Sequence, residues 1–393
     1  MKEGWTYKKL GDVCSIYNGN SINAEYKKAH FVGAKQGLPF IATKDVSPNG
    51  SIDYNNGVRI PNYQEYKVAP AGAVFICAEG GSAGKKFGYV EQKVCFGNKL
   101  FCITPNDDDL IGKYIYYFAQ SERFKNQFNS LMTGLIGGVS SKKFQSIEIP
   151  FPSISVQNCI ISRLDSAFEN IDQLKANAEK QFAEARTLFQ KGLAKAMEPK
   201  EGWEEKILKE VTSSIGDGLH GTPMYSDDGD YFFVNGNNFE DGVIEIKDNT
   251  KRVSSDEYEK YKICLDESTV LLSINGTIGK TAFYNGEPII LGKSACYINV
   301  LPSLLKEFLR YFLLSDNFIE YAKHNSRQAT IVNLGLKEIR TMPIPLPPLD
   351  VQQRIVERLD SLSENVRKYE EIQRQIISEC DALKQALLRK VFE

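Results

Sequence analysis

Apolar residues recur mostly three and four positions apart over two long stretches: Leu164, Ala167, Ile171, Leu174, Ala178, Phe182, Ala185, Phe189 and Ala196, then Leu359, Leu362, Val366, Tyr369, Ile376, Cys380, Leu383 and Leu387. That spacing is a heptad seam and predicts two long helices, each of about 40 residues or about 60 Å. A seam of about five heptads exceeds what one small domain covers. Each helix is therefore expected to pair with the other; an antiparallel pair would carry the segments before them to opposite ends of a rod. Gln373 interrupts the second seam where Ala178 stands in the first. Ahead of each helix the pattern changes to short β-type runs, 73–77 (AVFIC) and 269–274 (TVLLSI), bounded by glycine and asparagine turns. A helical stretch follows in both, over 114–128 and 308–321. The reading is α+β, with proline-rich hinges, FPSISV and PIPLPPLDV, after which helix begins.

The whole pattern is written twice. Ile149-Pro150-Phe151-Pro152, Val156-Gln157 and Arg163-Leu164-Asp165 recur as Ile344-Pro345-Leu346-Pro347, Val351-Gln352 and Arg358-Leu359-Asp360, at a constant offset of 195 residues. The register holds through Leu188/Leu383, Leu193/Leu388 and Lys195/Lys390. Upstream, Glu3-Gly4-Trp5 returns as Glu201-Gly202-Trp203 at an offset of 198, and this tripeptide holds both tryptophans. A repeat of this length is a duplicated domain plus a duplicated connector rather than a solenoid. The function should need two similar sites, related by approximate two-fold symmetry.

Composition narrows the class. The 393 residues are 42% apolar and 25% charged, which excludes a disordered chain. Neither a signal-peptide stretch nor an apolar run approaching about 20 residues is present, so a soluble, cytoplasmic protein is expected. Eight cysteines without a Cys-x-x-Cys pair, and three histidines, argue against a zinc site and for reduced core thiols. A net charge of −2 gives no overall attraction to nucleic acid and leaves room for a local basic patch.

Catalytic signatures are missing from both copies. Gly279-Lys280-Thr281 ends like a phosphate loop, but Ile274 stands where a glycine is required, and Gly80 to Lys85 has the wrong spacing. Glu245-Ile246-Lys247 with Asp230 faintly resembles a nuclease pattern, yet the matching Asp53-Tyr54-Asn55 lacks the lysine. Neither a nucleophile elbow, a metalloprotease helix nor a cofactor fingerprint appears. What recurs is glycine-flanked polar loops. Thr43-Lys44-Asp45 aligns with Gly236-Asn237-Asn238, and Gly84-Lys85-Lys86 with Gly279-Lys280-Thr281, the latter pair leading into aromatic residues. Such groups suit phosphates and base edges.

The chain as a whole resembles the DNA specificity subunit of type I restriction-modification systems. The resemblance rests on residues 343–349 (PIPLPPL) with Gln352, the Gly-Trp opening of each half, and the loop 273–280 (SINGTIGK). The first hinge, Ile149-Pro150-Phe151-Pro152-Ser153, departs from the usual proline pair. The resemblance implies two tandem target recognition domains of mixed α/β structure, over 1–151 and 201–346, each reading half of a split, asymmetric duplex site. Helical segments 152–200 and 347–393 would form the spacer and dock methyltransferase subunits, with a restriction motor-nuclease subunit joining. S-adenosylmethionine, ATP and magnesium would belong to those partners, leaving this chain without cofactor, metal or catalytic activity. Expected DNA contacts are Thr43, Lys44, Lys85, Lys86, Asn237, Asn238, Asn275, Thr277 and Lys280. The charged outer faces of the helices, Arg163, Asp165, Lys175 and Glu179 with Arg358, Asp360, Lys368 and Glu371, are the expected sites for two copies of one partner. The competing reading is a scaffold that joins two adaptor domains and binds only proteins.

Overall fold

The computed structural model describes residues 4–133, 137–326 and 333–393. Glu3, which opens the first repeated tripeptide, lies outside them. The chain divides into two compact units, one of residues 1–179 with 374–393 and one of residues 180–373. They share one architecture.

In the first unit a four-stranded antiparallel sheet has the order Cys14–Asn18, Leu100–Pro105, Val74–Cys77, Phe87–Tyr89. The second unit repeats it as Thr212–Asp217, Ala295–Val300, Thr269–Ser273, Thr281–Phe283. The central strands are continuous apolar runs because both faces of the sheet are covered. Val74 and Ile76 face a core built with Tyr114, Phe118, Phe124 and Phe128, while Phe75 and Cys77 face a second core with Phe96 and Cys102. Val270 and Leu272 against Leu271 repeat the division. A smaller sheet carries one parallel pair in each unit, Phe40↔Cys95 and Phe232↔Ile289.

The proline-rich hinges begin in strands. Thr6–Lys9 pairs antiparallel with Glu148–Phe151, and Glu204–Ile207 with Pro343–Leu346, so the segment after each Gly-Trp opening is bonded to the hinge of its own half. Each pair is a two-stranded sheet, where a proline's missing N–H is tolerated on the unpaired side. Helix then begins at Ile154 and Leu349, inside the hinge sequences rather than after them.

The two long helices, Ile154–Met197 and Leu349–Phe392, have 44 residues each and form an antiparallel coiled coil. In the first unit Asp172 and Lys175 bond Lys384 and Asp381; in the second, Gln181 and Arg186 bond Tyr369 and Glu370. From Asp172–Lys384 through Lys175–Asp381 to Arg186–Glu370, numbers rise on one helix as they fall on the other. A two-helix seam covers a narrow stripe, and this explains why Leu174 (51%) and Leu383 (49%), both seam positions in the sequence pattern, are exposed.

Each helix is locked to its unit by a buried glutamine. Gln157 accepts from the Ile111 N–H (3.0 Å) and donates to the Asp109 and Pro152 carbonyls (2.8 and 3.0 Å). Gln352 accepts from the Leu305 N–H (2.9 Å) and donates to Ser303 and Pro347 (3.0 and 2.9 Å). Just over two turns of helix later, two carboxylates of the expected outer face bond to their own unit instead of standing free. Asp165 accepts from the Tyr117 hydroxyl and pairs with Lys113 (2.8 Å), and Asp360 accepts from the Tyr311 hydroxyl (2.6 Å). Burial, then the bonded carboxylate, pushes both phenols up, so they stay protonated donors. Lys175 is likewise spent on Asp381 (2.7 Å). Arg163, Glu179, Arg358, Lys368 and Glu371 are exposed, with Lys368 beside Glu364 at 3.2 Å.

Six cysteines are buried, and burial pushes the Cys14 and Cys102 thiols up to about 12. Cys159 and Cys264 are exposed, which departs from the reading of all eight as core.

Candidate nucleic-acid interface

Four loops converge at one end of the main sheet in each unit. In the first, Asn20 exchanges bonds with the turn after Phe96 (Asn20 N to Phe96 O, 2.9 Å; Asn98 N to Asn20 O, 3.2 Å). Gly97 N donates to Ile41 O at the entry to the helical turn Thr43–Asp45 (2.9 Å), and Ala78 N to Lys99 O (2.8 Å). The second unit builds the same junction. Leu219 N donates to Leu291 O (2.7 Å), Gly292 N to Val234 O (2.8 Å), Gly236 N to Ser294 Oγ (3.3 Å) and Ile274 N to Ser294 O (3.0 Å). The close approach demands glycine at two equivalent points, since a Cβ on Gly19 would lie 2.1 Å from Phe96 O and one on Gly218 2.2 Å from Leu291 O.

Thr43-Lys44-Asp45 and Gly236-Asn237-Asn238, aligned by sequence, are the same element, a single helical turn. Their third residues serve that turn. Asp45 accepts from the Ala42 N–H (2.9 Å) and Asn238 from the Asn235 N–H (3.1 Å). Asn238 also donates to Glu245 O (2.9 Å) and Thr250 Oγ1 (3.2 Å) and is buried, so its amide is committed within the fold. Asn237 is exposed, with its backbone fixed by Asn235 Oδ1 (3.0 Å) and by Lys247 Nζ on its carbonyl (3.2 Å). The Thr43 hydroxyl is buried, while Lys44 is exposed and lies 3.3 Å from Asp45.

In the neighbouring turn the alignment shifts by one residue. Cys77 N donates to Lys86 O (2.9 Å) and Ser273 N to Lys280 O (2.8 Å), so Lys86 rather than Lys85 occupies the place of Lys280. The first turn is two residues longer, which a constant offset hides. Lys86 reaches the Thr43 carbonyl (3.1 Å), and exposed Lys85 the Gly81 carbonyl (3.3 Å). Lys280 pairs with Glu240 at 2.6 Å. Asn275 donates to Lys293 O (3.2 Å), and Thr277 is exposed.

The same loops present side chains that sequence reasoning missed, namely exposed Asn98, Lys99, His220 and Lys293. Asn98-Lys99 and Lys293-Ser294 align at the offset of 195, so comparing the copies could have found them. Asp241-Gly242 is a turn signal that was not read. It closes the hairpin Phe239–Glu240/Val243–Ile244, and both residues have positive φ (46° and 85°), the requirement of a type I′ turn. A Cβ on Gly242 would lie 2.9 Å from Arg310 Nε. Gly242→Ala is accordingly expected to cost the second unit about 1 to 2 kcal/mol, read as an earlier unfolding transition of Trp203 fluorescence in urea; an unchanged midpoint would refute it.

The sequence matches the family described as type I restriction modification DNA specificity domain twice, over residues 2–182 and 200–376. The chain belongs to that family. Membership in the type I DNA specificity family brings DNA sequence recognition with it, and the two matches fall on the two halves of the repeat. Across all of its length the chain is 24% identical to the type I restriction enzyme StySPI specificity subunit of Salmonella potsdam, covering 89% of that protein, and 21% identical to the EcoBI specificity subunit of Escherichia coli, covering 86%. Two solved structures share the fold. A chain from work on complex assembly and conformational transition of the type I R-M system has a TM-score of 0.80 at 19% identity, with 100% of this chain and 98% of that one covered. The HsdS subunit from Thermoanaerobacter tengcongensis has 0.60 at 21%, with 100% and 97% covered. Among the described residues no helix is long and apolar enough to cross a membrane, and no three His, Cys, Asp or Glu are grouped to hold a metal ion.

Proposed function

We propose that this chain is the non-catalytic reader of a split, asymmetric duplex DNA site, each unit reading one half through its four-loop cluster. The observation that carries the reading is that cluster itself: the same backbone junction built twice, carrying different polar side chains, as two heads that read two different sequences require. The recognition domains are assigned to 1–151 and 201–346, and the helical spacers to 152–200 and 347–393. Methyltransferase subunits dock on the spacers in two copies, through Arg163, Glu179, Arg358, Lys368 and Glu371, and restriction motor-nuclease subunits join them. Those partners bring S-adenosylmethionine, ATP and magnesium, and the complex works in the cytoplasm.

The test is retardation of duplex DNA by the chain with its methyltransferase partner. Lys86→Ala is expected to weaken binding to all sequences and to lower the salt slope by about one, with Lys44→Ala and Lys85→Ala acting in the same direction; Lys280→Ala is expected to weaken binding to the cognate site. Asn237→Ala should relax base choice in one half-site, where a good bidentate contact discriminates by about 1 to 3 kcal/mol. Absent retardation would favour a protein-only scaffold, and retardation without sequence preference would refute the reading of base sequence.

A further inference from the structure

Lys280 stands among the reading loops, yet its charge is already answered. Its ammonium lies 2.6 Å from Glu240 Oε2, with the lysine side chain 36% and the glutamate 58% exposed. Exposed ion pairs are ordinarily weak because two free side chains must be held in one geometry. Here the backbone holds both ends. The Lys280 N–H donates to Ser273 Oγ (2.9 Å), and the hairpin bearing Glu240 is bonded to the strand that Lys280 leads into, through Gly242 N to Thr281 O (3.1 Å) and Phe283 N to Gly242 O (2.9 Å). Arg310, Asp241 and Asp316 line the same groove of about 340 Å³. The equivalent lysine of the first unit, Lys86, is bonded to a neutral carbonyl instead.

We propose that Glu240 is a specificity-determining residue that acts through Lys280, withholding that cation from the phosphates of non-cognate DNA. The inference rests on the DNA-reading function above. Binding to arbitrary sequence draws almost all its free energy from phosphate neutralisation and counterion release. A lysine latched to a carboxylate contributes nothing to it until the latch opens. A cognate half-site makes base contacts as well, and these offset the cost of opening. With a net charge of −2 the chain has no surplus of cations to mask the difference. Glu240 thereby lowers affinity for random DNA more than affinity for its own site.

The test uses the full chain with its methyltransferase partner and a duplex of random sequence, over a series of salt concentrations. Glu240→Gln is expected to raise affinity for the random duplex about fivefold, the upper end for an exposed pair, and to steepen the salt slope by about one. Lys280→Ala should remove that gain, so that the double variant binds no better than Lys280→Ala alone. Asp248→Asn, which deletes an exposed carboxylate near the same loops, should leave the slope unchanged. Equal gains from Glu240→Gln and Asp248→Asn would overturn the latch and leave a general charge effect. Loss of discrimination at one cognate base pair, with random binding unaltered, would instead make Glu240 a base reader. If neither wild type nor variants retard any duplex, the DNA-reading function falls and the latch with it.

Discussion

Replacing Gln157 or Gln352 by alanine is expected to destabilise the unit concerned by about 3 kcal/mol. Each side chain is fully buried and makes three hydrogen bonds to backbone, holding the first turn of a long helix to the loop that precedes the Gly112–Gln120 or Lys306–Leu313 helix. Truncation leaves one N–H and two carbonyls without partners, and each such group costs about 1 to 3 kcal/mol when water cannot replace the bond. Glutamate should be no better, because an ionised carboxylate accepts but cannot donate to the two carbonyls. The tryptophans make the test unit-specific, since Trp5 belongs to one unit and Trp203 to the other. In a Trp203→Phe background, Gln157→Ala should shift the urea transition of Trp5, while Gln352→Ala should not. A shift equivalent to less than about 1 kcal/mol would mean that the loops relax or that water enters, and the lock would not be structural.

These glutamines show what was legible in the sequence. Their recurrence at the offset of 195 marked them as part of a pattern, but their task depends on the 109–111 and 303–305 backbones being brought beside them, which no local rule predicts. The seam and the duplication were readable because helix periodicity and repetition are local properties. The hinges were not readable as strands, because the partner of Ile149 is Lys8, far away in the chain, and a proline-rich stretch alone reads as a connector. For the charged face of the long helices, helical phase located Arg163 and Arg358 correctly in solvent, but Asp165 and Asp360 look the same on a helical wheel until Tyr117 and Tyr311 arrive from another element. Within the loops, residue type pointed to segments that the fold brings together, and did not tell which side chains stand in solvent. Asn238 is as polar as Asn237, and only the turn geometry turns one inward to bond Asn235, Glu245 and Thr250 and leaves the other in solvent.

Inserting four residues after Ala178 and four after Gln373 is expected to lengthen the gap between the two recognised half-sites by one or two base pairs while leaving both half-site sequences as they were. The chain passes between its two units between Glu179 and Lys180 in the first long helix and between Gln373 and Arg374 in the second. The insertions fall at or beside those crossings, so the pairs Lys175–Asp381 and Asp172–Lys384 on one side, and Arg186–Glu370 and Gln181–Tyr369 on the other, keep their partners. One added turn is about 6 Å, against about 3.4 Å for a base pair. Four residues also overshoot a full helical turn by about 40°, close to the roughly 34° by which one base pair rotates B-DNA in the same right-handed sense. The change is therefore one that DNA can follow with both heads engaged. On the proposed reading the paired helices set the distance between the readers, and the loop clusters, which the insertions do not touch, set the sequences. Mapping methylated sites in cells that express the variant decides it. An active variant with the original gap would remove the helices' role as a ruler and leave them as a docking surface. An altered gap accompanied by altered half-site sequences would show that the insertion had disturbed the readers themselves.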